Sequence, residues 1–201
     1  MRRWWLKAVV QGLLSYLPFG HRIHTFTQQR IVRTLFHVPG GGHNKASELN
    51  TRRGAIVSVS SVPISEWDVL ELGTGWFPFD SLCFYLLGVR SVTTFDLRKN
   101  LKISNLNHVV GELLALDHSG VLAKSLTGLQ KDRVQTLRSA YAHIDTYDPY
   151  SFLSTLGIEA IVGDYLGKAS SGKSFNGFTT YAVLEHLRPP YIARLFERFH
   201  R

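Results

Sequence analysis

The segment Trp67-Asp68-Val69-Leu70-Glu71-Leu72-Gly73-Thr74-Gly75-Trp76-Phe77-Pro78 constrains the fold of this chain more than any other. A short, mostly apolar run leads straight into two glycines separated by one residue. Pro78, a residue favoured at the start of a helix, follows. The pattern predicts a buried strand, a sharp turn and a helix opening near Pro78. Glycines at 73 and 75 let the backbone turn tightly and let a ligand approach with no Cβ in the way. The helix behind them presents unpaired N–H groups and the positive end of its dipole.

From about residue 66 onward, short β-branched or apolar runs alternate with helix-like segments. Asp68–Leu72, Ser91–Phe95, Ile158–Val162 and Phe175–Tyr181 read as strands. Strands alternating with helices predict an α/β domain, a doubly wound and mainly parallel sheet. Leu97 to Gly157 is far longer than a simple crossover needs, and it carries helical spacing at Val109, Leu113, Leu116 and at Val134, Leu137, Tyr141. A helical insertion is therefore expected at about residues 98–157.

Charge divides the chain. The net charge of +8 belongs to residues 1–56, where nine Lys or Arg face one acid, Glu48, while the remainder balances 14 basic against 14 acidic side chains. A basic helical arm, 1–56, is thus expected ahead of an α/β domain, 57–201. Within the arm, residues 1–17 place Trp4, Trp5, Leu6, Val9, Val10, Leu13, Leu14 and Leu17 on an amphipathic helical pattern. That pattern suits a helix packed on the body, and secondarily a peripheral contact with a membrane surface. Lys7 and Gln11 interrupt the apolar stretch and no small-residue cleavage site follows, which argues against a secretory signal. Cys83, the single cysteine, excludes a disulfide framework and suits a reducing, cytoplasmic setting.

Asp96, at the end of the second predicted strand, follows Gly75 by 21 residues, a spacing that sets a carboxylate where it can accept two ribose hydroxyls. The dinucleotide pattern G-x-G-x-x-G/A fails at its last position, Pro78. With Glu71-Leu72-Gly73-Thr74-Gly75, Asp96, Gly163-Asp164 after the third strand, and Tyr181-Ala182-Val183-Leu184-Glu185-His186-Leu187 after the fourth, the chain resembles the class I S-adenosylmethionine-dependent methyltransferases. The last segment looks like the VLEH signature of members acting on small molecules and lipids. The resemblance covers residues 66–201. Phe77 stands where many members have a third glycine, and Asn176 where an aspartate is usual. The family sheet has seven strands, so a truncated form is expected here.

The resemblance implies a cofactor, S-adenosyl-L-methionine, and roles for particular residues. Gly73, Thr74 and Gly75 would lie against its methionine part, with Glu71 supporting the loop. Asp96 would bind the ribose, Asp164 the adenine amino group, and Tyr181 would complete the cofactor site. Asp164 also reads as a helix N-cap or turn residue. Methyl transfer is an in-line displacement at an activated carbon, so the protein mainly aligns the acceptor and excludes water. An oxygen acceptor also needs a base, and His186, then Glu185, are the candidates. The expected reaction is methylation, at oxygen first, of a small-molecule, lipid or glycan acceptor. A non-catalytic relative of the fold is the alternative.

Gly167-Lys168-Ala169-Ser170-Ser171-Gly172-Lys173-Ser174 matches the phosphate-loop pattern of nucleotide triphosphatases letter for letter. That pattern needs a strand before it and a helix from its Lys-Ser, whereas strand-like Phe178-Thr179-Thr180-Tyr181 follows here. A solvated loop is the better reading. His21 with His24, and His37 with His43, lack a carboxylate or cysteine at ligand spacing, so no metal site is expected. Asp145, Tyr147, Asp148 and Tyr150 cluster, which suits a loop before it suits a substrate site. The arm has no recognisable nucleic-acid motif, so nucleic acid is an unfavoured partner.

Overall fold

Asp68–Leu72 forms the first strand, β1, and takes the centre of a parallel sheet. In this computed structural model the described residues are 46–51, 54, 61–168, 174–180, 183–184 and 187–199. All belong to one compact unit spanning 42–201. The other strands are β2, Ser91–Asp96, β3, Ile158–Val162, and β4, Gly177–Thr180. Their order is β3-β2-β1-β4, and every pairing is parallel. The run from β1 to β3 travels one way and β4 returns to the far side of β1, so the order reverses between β1 and β4. This is the doubly wound arrangement expected from the alternating pattern.

Register sets the site. Leu72 pairs with Phe95 and with Thr180, and Asp96 pairs with Val162. The residues that follow the strands, Gly73, Leu97 and Gly163, therefore emerge along one edge of the sheet.

Besides the helical residues 46–51, seven α-helices are described. They are α1 (Phe79–Leu86), α2 (Ile103–His118), α3 (Val121–Ser125), α4 (Lys131–Tyr141), α5 (Pro149–Thr155), α6 (Tyr165–Lys168) and α7 (Pro189–Phe199). α1 opens one residue after Pro78, and all of its residues are buried. A helix buried on every side must be covered on every side. The sheet covers one side of α1, and α4 packs against it too. Gln130 N–H donates to Leu86 O at 2.9 Å, and Arg133 Nη1 to Tyr85 O at 3.0 Å. Of the helices between β2 and β3, α4 thus lies over α1, whereas α5 packs on β3.

Alternation along β1 divides its side chains between two faces. Glu71 meets α1 through Ser81. Leu70 and Leu72 pack with Phe95, Tyr165 and Leu195 of α7 on the other face. Helices so cover both sides of the sheet. Of the helical positions read from spacing, Val109, Leu113, Val134 and Leu137 are buried, whereas Leu116 and Tyr141 are half-buried.

Residues 46–51 are helical, with Ala46 and Leu49 buried, and Asn50 Oδ1 accepts from Thr127 N–H at 3.2 Å. This tie joins a segment read as part of the arm to the body. Residues 1–45, including the amphipathic stretch 1–17 and the paired histidines, lie outside the described residues. Among the described residues no helix is long and apolar enough to cross a membrane.

Candidate functional site

Gly73 turns the chain out of β1 with φ +93°, and Gly75 completes the turn with φ +64°. Both lie in the left-handed region that side chains resist. The turn is fastened to β2 at two levels. Gly73 N–H donates to Phe95 O at 2.7 Å, and Gly75 N–H donates to Asp96 Oδ2 at 2.8 Å. The hydroxyl of Thr74 bonds to that of Thr94 inside the fold. Thr74 therefore stabilises the turn, and its backbone is what can meet a ligand.

Glu71 is 5% exposed and accepts a hydrogen bond from the Ser81 hydroxyl of α1. The contact ties the strand before the turn to the helix after it. A buried carboxylate stays tolerable when donors satisfy it.

Asp96 Oδ1 accepts from Arg98 N–H and from Asn100 Nδ2, both at 3.0 Å. An ionised carboxylate has about four lone-pair directions. Three are taken by this chain, and the remaining one is on Oδ2. Asp96 can therefore accept one further hydroxyl with every present bond retained, rather than two. Tyr150 of α5 lies close by, its ring 5.2 Å from Lys99 Nζ. Its phenol is raised above its ordinary value, chiefly by burial and in part by the charge of Asp96. Of the acidic and aromatic cluster 145–150, Tyr150 thus reaches the site. Asp148 instead caps α5, accepting from Tyr150 N–H at 3.0 Å and Ser151 N–H at 3.3 Å.

Asp164 follows β3 and opens α6, accepting from Leu166 N–H at 3.1 Å. Its Oδ1 also accepts from the hydroxyl of Tyr191 on α7. The capping role is real, and it leaves Oδ2 as the unengaged acceptor.

At the switch between β1 and β4, Thr180 Oγ1 is buried and makes no hydrogen bond. Val183, three residues beyond the end of β4, packs over the turn; its Cγ2 lies 2.1 Å from where a Cβ on Gly73 would stand. At Gly75 the nearest atom to such a Cβ is Gly73 O, 4.0 Å away. The open approach is therefore at Gly75, and the missing side chain of Gly73 accommodates this chain's own Val183.

No family model, curated protein or solved structure matches this chain. What the site can do is read from its own geometry.

Tyr181, Glu185 and His186 lie outside the described residues, as do 169–173 of the phosphate-loop pattern. Gly167 of that pattern sits within α6, and β4 begins at Gly177, so its described flanks are a helix before and a strand after. Asn176 precedes β4 at the opposite end of the sheet, where its Oδ1 accepts from Asp68 N–H at 2.7 Å and its Nδ2 donates to Glu66 O at 3.2 Å. There it holds β4 to β1. Phe77 meets the ring of His108 edge-on, centroids 6.5 Å apart, which brings α2 to the turn.

Asn100, Thr94, Ser81, Thr180 and Tyr191 were not marked by any sequence motif. Their roles come from long-range pairing. The nearest signal was in Val183, part of the motif after β4.

A second cleft of about 310 Å³ opens at the amino ends of β2 and β3, lined by Tyr85, Arg90, Asp132, Arg133 and Thr136 among others. Its two guanidinium groups are engaged. Arg90 pairs with Asp68, and Arg133 lies over the Tyr85 ring at 4.9 Å. In doubly wound sheets ligands bind beyond the carboxyl ends of the strands, which favours the glycine turn over this cleft.

Proposed function

We propose that this chain binds S-adenosylmethionine and is a class I methyltransferase acting on a small-molecule, lipid or glycan acceptor, at oxygen first. The observation that carries the reading is the bond from Gly75 N–H to Asp96 Oδ2. It joins the glycine turn after β1 and the carboxylate that ends β2 into one unit at the carboxyl end of the sheet.

The residues present fit the cofactor chemically. Gly75 offers open backbone, Asp96 Oδ2 one free acceptor direction, and Asp164 Oδ2 an unengaged acceptor for an amino group. The buried, unpaired hydroxyl of Thr180 is a polar atom at the same end of the sheet. Such an atom gains from a ligand that bonds to it. When bound, S-adenosylmethionine supplies a methyl group already activated by its sulfonium. The chain's own work is then alignment and exclusion of water. Ser81 and Glu71 hold β1 against α1, Thr94 holds Thr74, and Asn100 fixes the carboxylate of Asp96. His186 and Glu185 remain the proposed bases for an oxygen acceptor, and the arm, through residues 1–17, the proposed peripheral contact with a membrane.

One observation favours a second reading, a binding module without turnover. Val183 occupies the space over Gly73, so less of the turn is open than two glycines provide.

Calorimetric titration of the whole chain with S-adenosylmethionine, beside Asp96→Ala and with ATP–magnesium as a control ligand, tests the proposal. Micromolar binding, lost in the variant and absent with ATP, supports it. Folded protein that binds no S-adenosylmethionine overturns it. Binding without methyl transfer to any offered acceptor favours the second reading.

A further inference from the structure

Strand β4 ends on a hydroxyl that the fold itself does not use. Phe178 and Thr180 share one face of β4, because alternate residues of a strand point the same way. Phe178 packs on that face against the apolar cluster of Leu70, Leu72, Phe95, Tyr165 and Leu195. Thr180 Oγ1 is buried and finds no hydrogen-bond partner among the described residues. A buried hydroxyl without a partner lowers stability. Valine has nearly the same shape and an equal preference for strands, and it lacks that penalty. Packing therefore does not account for a threonine at this position.

The position suggests what does. Thr180 pairs with Leu72, so it flanks Gly73, the first residue of the turn. The strand order reverses between β1 and β4, and doubly wound sheets bind ligands in the crevice at such a reversal. Val183 covers Gly73 there, with its Cγ2 2.1 Å from where a Cβ would stand, and it also packs on the apolar cluster. A covered glycine and a buried hydroxyl with no partner thus stand side by side at the carboxyl ends of two neighbouring strands.

We propose that the crevice between β1 and β4 is a ligand subsite whose binding group is the Thr180 hydroxyl, and that Val183 is the plug a ligand displaces on entering it. The inference rests on the S-adenosylmethionine reading above and adds to it a binding residue and a closing residue. A hydroxyl both donates and accepts, so it can bond to whichever polar group the cofactor presents beside Gly73. A plug that must move first reduces the apparent affinity by the fraction of molecules in which the crevice is open.

The test pairs calorimetric titration of the full chain by S-adenosylhomocysteine with thermal unfolding in the absence of added ligand, for the native chain, Thr180→Val and Val183→Ala. Thr180→Val is expected to raise Tm by about 2–4 °C and to weaken binding about tenfold. Val183→Ala should lower Tm through lost packing and tighten binding about threefold or more. In both variants stability and affinity move in opposite directions, whereas a residue that only packs would move them together. A lower Tm or native affinity in Thr180→Val overturns this inference alone, as does unchanged or weaker binding by Val183→Ala. A folded native chain that binds no S-adenosylhomocysteine overturns it together with the cofactor reading.

Discussion

The amide of Gly75 donates to Oδ2 of Asp96 at 2.8 Å, across 21 residues of chain. A residue that permits a turn and a residue that ends the next strand are thereby one structural unit. Asp96 also receives Arg98 N–H and Asn100 Nδ2 on its other oxygen. Its carboxylate organises the loop before any ligand arrives.

That arrangement predicts an unusual result for a conservative substitution. Asn at position 96 has one oxygen, yet donors face both of the carboxylate's oxygens. Asp96→Asn must set an amide N–H against another donor, and so should be about as damaging as Asp96→Ala. Each is expected to cost about 1–3 kcal/mol in chemical denaturation. Calorimetry should show S-adenosylmethionine binding weakened at least tenfold in both. Near-native stability of Asp96→Asn would show that the loop does not depend on both oxygens.

Gly73 is constrained twice, by φ +93° and by Val183 Cγ2 at 2.1 Å from a built Cβ. Gly73→Ala is expected to destabilise the fold by about 2–4 kcal/mol, from backbone strain and the clash together. Adding Val183→Ala should relieve the clash but not the strain. The double variant should therefore be more stable than the sum of the singles by about 1 kcal/mol or more. Additive losses in a denaturation cycle would contradict the contact.

Ser81 is fully buried and donates to the buried carboxylate of Glu71. Ser81→Ala removes a donor and leaves the acceptor in place. A loss of about 1–3 kcal/mol is expected in urea unfolding. Ser81→Thr, which keeps the hydroxyl, should recover part of it if the added methyl is accommodated.

Asp148 titrates below its ordinary value of 3.8, first because the Ser151 hydroxyl donates to it, and also through the Ser151 and Tyr150 amides it caps. A depressed folded value means its contribution is present above the ordinary carboxylate range and is lost as pH falls through the folded value. Asp148→Ala should thus lower Tm near neutral pH, with the gap from the native chain narrowing as pH falls below the ordinary value of 3.8. A gap that persists in acid would show that the carboxylate charge is not what stabilises α5.

The alternation of apolar runs with helical spacing was enough to anticipate the parallel α/β sheet, and β1 and β3 fall on the expected residues, 68–72 and 158–162. The apolar bias of each run is a local property and was enough to place them, although β1 buries Glu71 as well and β3 is fully buried only at Ile158. The glycine turn was likewise readable, since glycine adopts φ +93° and +64° without the strain that a Cβ brings. Asn176, read as a member of the fourth strand, instead precedes it and bonds to Asp68 and Glu66. Tertiary pairing also decided which groups remain available. Asp96 looked like a free carboxylate in the sequence, but three donors from this chain occupy it. Gly73 looked open, yet Val183 packs over it. Asp164 acquired its partner, Tyr191, only when α7 returned across the sheet. Local sequence determines where the chain can turn and which runs must be buried. Which hydrogen-bonding directions stay unused at the turn depends on long-range register, because each is consumed by a residue distant in the chain.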